Sequence, residues 1–351
     1  MKKKLRLHND HHYNTGNPAL DKKVAELVKA AEAGKNAQYL SDLIVTGIKF
    51  QEDSLELGDV KLLTVALKEL RYALKVFQPY RHVRKVAVFG SARTPETSAD
   101  YKQALEFSRA VVDAGWMVVT GAASGIMQAG NEGAGRENSF GVNIRLPFEQ
   151  QANPHIIDDS KLINFKYFFT RKLIFIRETD ATVLCPGGFG THDEGFETLT
   201  LIQTGKASPR PVICMDPKGS TYWDSWRKFL KKELAGRHMV DPDDLGLVHY
   251  THDHHDAVRV ITQFYRNYHS SRYIGDRLIV RVKVPLTKAK LKDLNSEFKG
   301  ILGKGKIEQF MKPFPEEVNE LHNAELPRIA LYFNRRHFAL MIKMIGRINE
   351  I

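Results

Sequence analysis

Between residues 85 and 230, short apolar runs alternate with longer amphipathic segments, and three of the runs end in clustered small residues. They are KVAVFGSA (85–92), WMVVTGAASGIM (116–127) and ATVLCPGGFGT (181–191). Strand, turn and helix repeated in this way build a parallel sheet with helices on both faces. Ligands of such sheets bind beyond the carboxyl ends of the strands. Two further strands are expected at SFGVNIRLPF (139–148) and RPVICMD (210–216). Helices are expected at 101–115, after Gly125, and at 164–180, 191–205 and 222–234.

The flanks differ. Residues 17–79 read as helical, with Asn17-Pro18 as an entry signal and apolar residues at helical spacing from Leu62 to Phe77. After residue 272, RLIVRVKV alternates so that Leu278, Val280, Val282 and Val284 form a buried stripe opposite a largely wet face. A helix at 287–299, a strand at 328–333 and a helix at 335–349 complete a small α+β appendage. The expected organisation is a tail and helical extension over 1–80, an α/β domain over 81–272, and a C-terminal domain of unassigned role over 273–351.

Glycine lets backbone N–H groups approach an anion without a Cβ in the way, and the helix that follows adds unpaired N–H groups and a positive dipole end. The three turns are therefore candidate phosphate cradles: Gly90 and Ser91; Gly121, Ser124 and Gly125; Gly187, Gly188, Phe189, Gly190 and Thr191. None is a Walker loop or GxGxxG. The third is followed by Asp193, Glu194 and Glu197. Asp193 and Glu197 read as partners of the helix dipole. A carboxylate at Glu194 would be repelled by a bound phosphate and needs another reason to stand there, which positive charge developing on a sugar ring would supply. Gly195, early in the same helix, carries a helix-propensity cost of roughly 1 kcal/mol and suggests a close approach.

The net charge is +11, from 52 basic and 41 acidic residues. It suits phosphate-bearing partners, from nucleotides to nucleic acid, and does not by itself separate the two. The basic residues are scattered and no nucleic-acid motif accompanies them, so no nucleic-acid partner is expected. The chain has no apolar run of the roughly 18 residues a membrane span requires, and a cytoplasmic protein is expected. Cys185 and Cys214 lie in strand-like runs and are expected buried and reduced. HDHHD (252–256) and the histidines His8, His11 and His12 carry metal-type side chains. The first is read as a helix cap and the others as part of a polar tail, so no metal and no cofactor is expected.

Pro186 to Glu194, PGGFGTHDE, resembles the PGGxGTxxE signature of the LONELY GUY family, long described as "lysine decarboxylases". Arg171-Lys172 matches the family's Arg-Lys pair, and GAASGIM (121–127) its second glycine loop. GVNIRLPFEQQANPHI (141–156) is similar to a longer bacterial branch. The resemblance covers about 85–230. It implies a Rossmann-like doubly wound sheet, a homodimer, and hydrolysis of a nucleoside 5′-monophosphate to free base and ribose 5-phosphate. Breaking the ribosyl C–N bond builds an oxocarbenium-like ring. The resemblance implies Glu194 and Arg171 as catalytic residues, with Lys172 assisting and Thr200 near the substrate. Arginine is a poor proton donor, so Arg171 is expected to hold substrate oxygens, ring nitrogens or Glu194 itself. Met127 is a candidate for the base and equally for core packing, and Glu149 a candidate for the ribose hydroxyls. The competing reading is a nucleotide-binding or sensor protein without turnover. Decarboxylation on pyridoxal phosphate has no marked lysine to support it.

Overall fold

The computed structural model describes residues 13–145, 151–317 and 321–350, and the chain divides between residues 68 and 69 into two compact units. The first unit holds α1 (Pro18–Ala30), α2 (Ala37–Glu52) and the start of α3 (Leu57–Phe77), which runs across the division. Asn17 caps α1, its side chain accepting from the N–H of Ala19 at 3.0 Å, with Pro18 at the first helical position. Val24, Val28 and Val45 form this unit's small core.

The second unit is built on a seven-stranded sheet. Its strands are β1 (Lys85–Phe89), β2 (Met117–Thr120), β3 (Ser139–Ile144), β4 (Leu162–Phe165), β5 (Ala181–Leu184), β6 (Val212–Met215) and β7 (Val248–Thr251). Their order is β4-β3-β2-β1-β5-β6-β7, every pair parallel. The covering helices are α4 (Ala99–Asp113), α5 (Ile126–Ala134), α6 (Phe168–Glu178), α7 (Phe189–Gln203), α8 (Tyr222–Phe229) and α9 (His254–Phe264). Successive strand residues point to opposite faces. Val86, Val88, Val118 and Val183 share one core with Phe107 of α4, Ala129 of α5 and Ile261 of α9. Ala87, Phe89, Val119 and Leu184 share the other with Phe77 of α3, Ile174 of α6, Ile202 of α7 and Trp223 of α8. The fold is the expected doubly wound α/β sheet.

Two strands of this sheet are additions to the sequence reading, β4 and β7. The stretch 164–180 is not one helix, because Asn164 and Phe165 close β4 and α6 starts at Phe168. Both are four-residue edge strands with partly exposed positions, where the continuous apolar run of a central parallel strand is missing.

A second sheet is antiparallel, in the order β10-β11-β9-β8: β8 (Tyr268–Ile274), β9 (Arg277–Val282), β10 (Leu302–Phe310) and β11 (Arg328–Phe333). It packs with α10 (Lys288–Glu297) and α11 (Phe338–Ile348). The expected boundary at 272–273 falls inside β8, which the sequence reading did not mark as a strand. The expected wet face of β9 is corrected: Arg281 is buried, its guanidinium bonded to Glu317, while Val284 is exposed. A loop folded over that face supplies Glu317, which also binds Arg328 of β11 at 3.1 Å.

Candidate functional site

The chain builds outward from β1 to β4, then returns to β5 beside β1. That reversal leaves a crevice at the carboxyl ends of β1 and β5. A cavity of about 750 Å³ opens there, lined by Gly90–Arg93 after β1, Met127 of α5, Phe168 and Arg171 of α6, and Gly187–Glu194 after β5.

The three small-residue turns are stitched together by backbone. The N–H of Ser91 donates to the carbonyl of Pro186 at 3.0 Å, and the N–H of Ile126 donates to the carbonyl of Ser91 at 3.0 Å. The Ser124 hydroxyl donates to Ala92 O at 2.8 Å. Gly125 has φ +64°, and a Cβ there would fall 2.3 Å from Ser91 O. Ser124 and Gly125 therefore brace the turns from behind, and neither lines the cavity. Gly121 also sits outside the lining and makes room: a Cβ would stand 2.5 Å from Arg171 Nη2 and 2.6 Å from Met127 Sδ.

Arg171 is aimed by its surroundings. Its Nε donates to Val142 O near the end of β3 at 2.9 Å, and its guanidinium lies 5.3 Å from the Phe175 ring centroid. The start of α6 is itself tied down, with the Thr170 hydroxyl donating to Glu69 at 2.7 Å. The first turn of α7 carries Phe189, exposed over nearly its whole surface, Gly190 and the buried Thr191. Gly187 is anchored by the Tyr222 hydroxyl, which donates to its carbonyl, and His192 Nε2 lies 2.7 Å from the same hydroxyl. With its proton given to Gly187, that hydroxyl accepts from His192 Nε2–H. Burial lowers the His192 pKa and favours this neutral imidazole.

Glu194 closes the cavity wall and is 5 % exposed. Burial pushes its carboxyl up to about 7, against the opposing charges of Lys172 and Arg171 and with help from Glu197 and Asp193. Lys172 does not line the cavity. Its ammonium lies 2.6 Å from Glu197, 2.8 Å from Asp193 and 3.7 Å from Glu194. Burial works against that charge, but the hydrogen bonds to Asp193 and Glu197 outweigh it and raise the pKa. This corrects the reading of Asp193 and Glu197 as dipole partners, because both lie beyond the first turn of α7 and pair with a lysine.

Of the remaining candidates, Gly90, Ser91, Met127, Gly187, Gly188 and Gly190 line the cavity. Thr200 is exposed and lines a separate, mostly apolar hollow with Phe196 and Leu199. Glu149 lies outside the described residues. The sequence reading missed Arg93, Phe168, His192 and Tyr222 around the site. Arg93 follows the first glycine turn directly and was open to notice, whereas Tyr222 reaches Gly187 from 35 positions away. In HDHHD, Asp253 caps α9, accepting from the N–H of His255 at 2.9 Å. Among the described residues no group of His, Cys, Asp and Glu is arranged to hold a metal ion, and no helix is long and apolar enough to cross a membrane. Cys185 and Cys214 are free and buried.

Residues 119–261 match the family model described as "Possible lysine decarboxylase". The chain carries a domain of this family. The matched region contains Arg171, Lys172 and the whole PGGFGTHDE segment. A cytokinin riboside 5′-monophosphate phosphoribohydrolase of Mycobacterium tuberculosis is 29% identical over 149 residues, 41% of this chain and 76% of that protein. Among solved structures, the molybdenum cofactor carrier protein of Chlamydomonas reinhardtii is 22% identical, with TM-score 0.37 over 52% of this chain and 97% of that one. DNA processing protein A of Streptococcus pneumoniae is 14% identical, with TM-score 0.38 over 71% of this chain and 95% of that one.

Proposed function

We propose that this protein is a nucleoside 5′-monophosphate phosphoribohydrolase, releasing a purine or cytokinin-type base and ribose 5-phosphate. The observation that carries the reading is Glu194, a buried carboxyl with a pKa raised to about 7, on the wall of a cavity it shares with Arg171 and a glycine turn. A phosphate held by the start of α7 anchors the ribose, so that remote binding energy orients the reacting carbon. Glu194 faces the ring as positive charge develops on C1′ and takes a proton from the attacking water, a task suited to a carboxylate that titrates near neutrality. Arg171, held by Val142 O, supplies hydrogen bonds and positive charge to substrate oxygens or ring nitrogens. The 29%-identical phosphoribohydrolase supports this assignment over a sensor without turnover.

The chain is proposed to work as a homodimer. Phe168, Phe169 and Leu173 of α6 are about half exposed beside the cavity, an apolar face that a second copy would cover. Its two buried free thiols suit the reducing cytoplasm, the proposed location.

Chromatography of AMP, GMP, IMP, CMP, UMP and a cytokinin riboside monophosphate after incubation with the protein tests the activity. Base plus ribose 5-phosphate from at least one of them, absent with Glu194→Gln, is the expected result. Intact nucleotides throughout, with binding retained, would replace the reading by the sensor alternative.

A further inference from the structure

We propose that Lys172 is a positioning residue for Glu194: clamped by Asp193 and Glu197, its ammonium steadies the Glu194 carboxylate from behind the cavity wall and does not meet the ligand. The proposal rests on the reading of Glu194 as the reacting carboxylate.

Arg171 and Lys172 are consecutive on α6, so their side chains leave the helix about 100° apart. One direction leads to the cavity and the other to α7. There Asp193 and Glu197, four residues apart on one helical face, grip the lysine at 2.8 and 2.6 Å. A lysine side chain is flexible enough to swing toward any nearby phosphate. Two charge-assisted bonds oppose that swing, and hold the ammonium 3.7 Å from Glu194.

The charges acting on Glu194 come from α6 and from its own helix, α7. Lys172 and Arg171 belong to α6, Asp193 and Glu197 to α7, and Arg93 lines the same cavity from the turn after β1. An arriving phosphate adds negative charge beside Glu194 and draws on Arg171 and Arg93, the cations that line the cavity. Lys172 stands outside that lining and keeps its attraction for Glu194 when the site is filled. Asp193 and Glu197 hold the lysine at the cost of two like charges near Glu194.

The test is a carboxyl ¹³C NMR titration of glutamate-labelled full-length protein, with the Glu194 signal assigned by its loss in Glu194→Gln. Lys172→Met should raise the Glu194 midpoint by about one pH unit, the size expected for losing one close opposite charge. Lys172→Arg should leave it within a few tenths. An unmoved midpoint in Lys172→Met overturns the proposal; should that variant not fold, an unmoved midpoint in Lys172→Gln does so. On the nucleotide found to be hydrolysed, Lys172→Met should carry the acid limb of the kcat/KM profile upward with KM little changed. A raised KM with an unmoved limb would mean direct ligand contact and also overturn it. If no nucleotide is hydrolysed, the proposed function falls while the NMR titration still decides the role of Lys172.

Discussion

The Tyr222 hydroxyl donates its proton to the carbonyl of Gly187, joining the first turn of α8 to the glycine turn that opens α7. His192, one turn into α7, completes the link at 2.7 Å. Tyr222→Phe removes one hydrogen bond from a half-buried backbone carbonyl, a loss of about 0.5–1.5 kcal/mol. Because the turn is the proposed phosphate site, the expected result is a KM raised about 2- to 10-fold with a smaller change in kcat. Steady-state kinetics on the hydrolysed nucleotide read it, and an unchanged KM would show that Tyr222 does not shape the phosphate site.

Glu194 makes stability depend on pH. Its folded pKa, about 7, lies above its ordinary value of 4.5, so the folded chain binds more protons than the unfolded chain between those values. Its contribution is therefore full below about pH 4.5 and is lost as pH rises through 7. Glu194→Gln should match the wild type at low pH and exceed it by on the order of 3 kcal/mol above pH 7. Urea unfolding at a series of pH values measures the difference. A gap that stays constant with pH would contradict the raised pKa.

Gly125→Ala places a Cβ 2.3 Å from Ser91 O at a residue with φ +64°. The atoms it would meet, in Ser91 and Ala92, are backbone, so none can rotate away. A cost of roughly 2–4 kcal/mol is expected from left-handed strain plus overpacking. Denaturant midpoints read the stability, and binding of nucleotide should weaken as the Ser91–Arg93 turn shifts. Full stability in this variant would mean that the turns are not braced as described.

Glu317 stands between two buried guanidiniums, bonded to Arg281 at 2.6 Å and Arg328 at 3.1 Å. Burial opposes its charge, but the Phe314 N–H and the two arginines outweigh burial and lower its pKa. Its stabilisation is present above the ordinary carboxyl range and lost as pH falls through the lowered value. Glu317→Gln leaves buried positive charge without this partner, at a cost of about 3–5 kcal/mol. Faster amide hydrogen exchange in β9 and β11 at neutral pH, with the parallel sheet less affected, is the expected outcome. Equal protection in variant and wild type would count against the ion triad as a structural element.

Much of the site is legible in the order of residues along the chain. The alternation of apolar runs with small-residue turns determines a parallel α/β sheet, because backbone conformation and side-chain periodicity are local properties. The PGGFGTHDE segment and Arg171 point to the carboxyl ends of strands, and the fold brings Arg171, Glu194 and the glycines of that turn to one cavity. Gly195 does sit at a close approach: its neighbour is Leu184 of β5, 2.8 Å from where a Cβ would lie.

What the tertiary structure alone decided is which groups pair. Lys172 and Glu197 meet across 25 positions, Tyr222 and Gly187 across 35, and Arg281 and Glu317 across 36. No local period records such meetings, since they depend on how helices settle against a sheet. The edge strands β4 and β7 are hidden in the sequence for a related reason: their hydrogen-bond partners are remote, and partial exposure removes the apolar run that marks a central strand. The sequence by itself determined the layered fold and the chemical types at the crevice. Only packing decided that Lys172 faces carboxylates and that Glu194 is buried enough to titrate near neutrality, because both follow from distances and solvent exclusion that exist only in the folded chain.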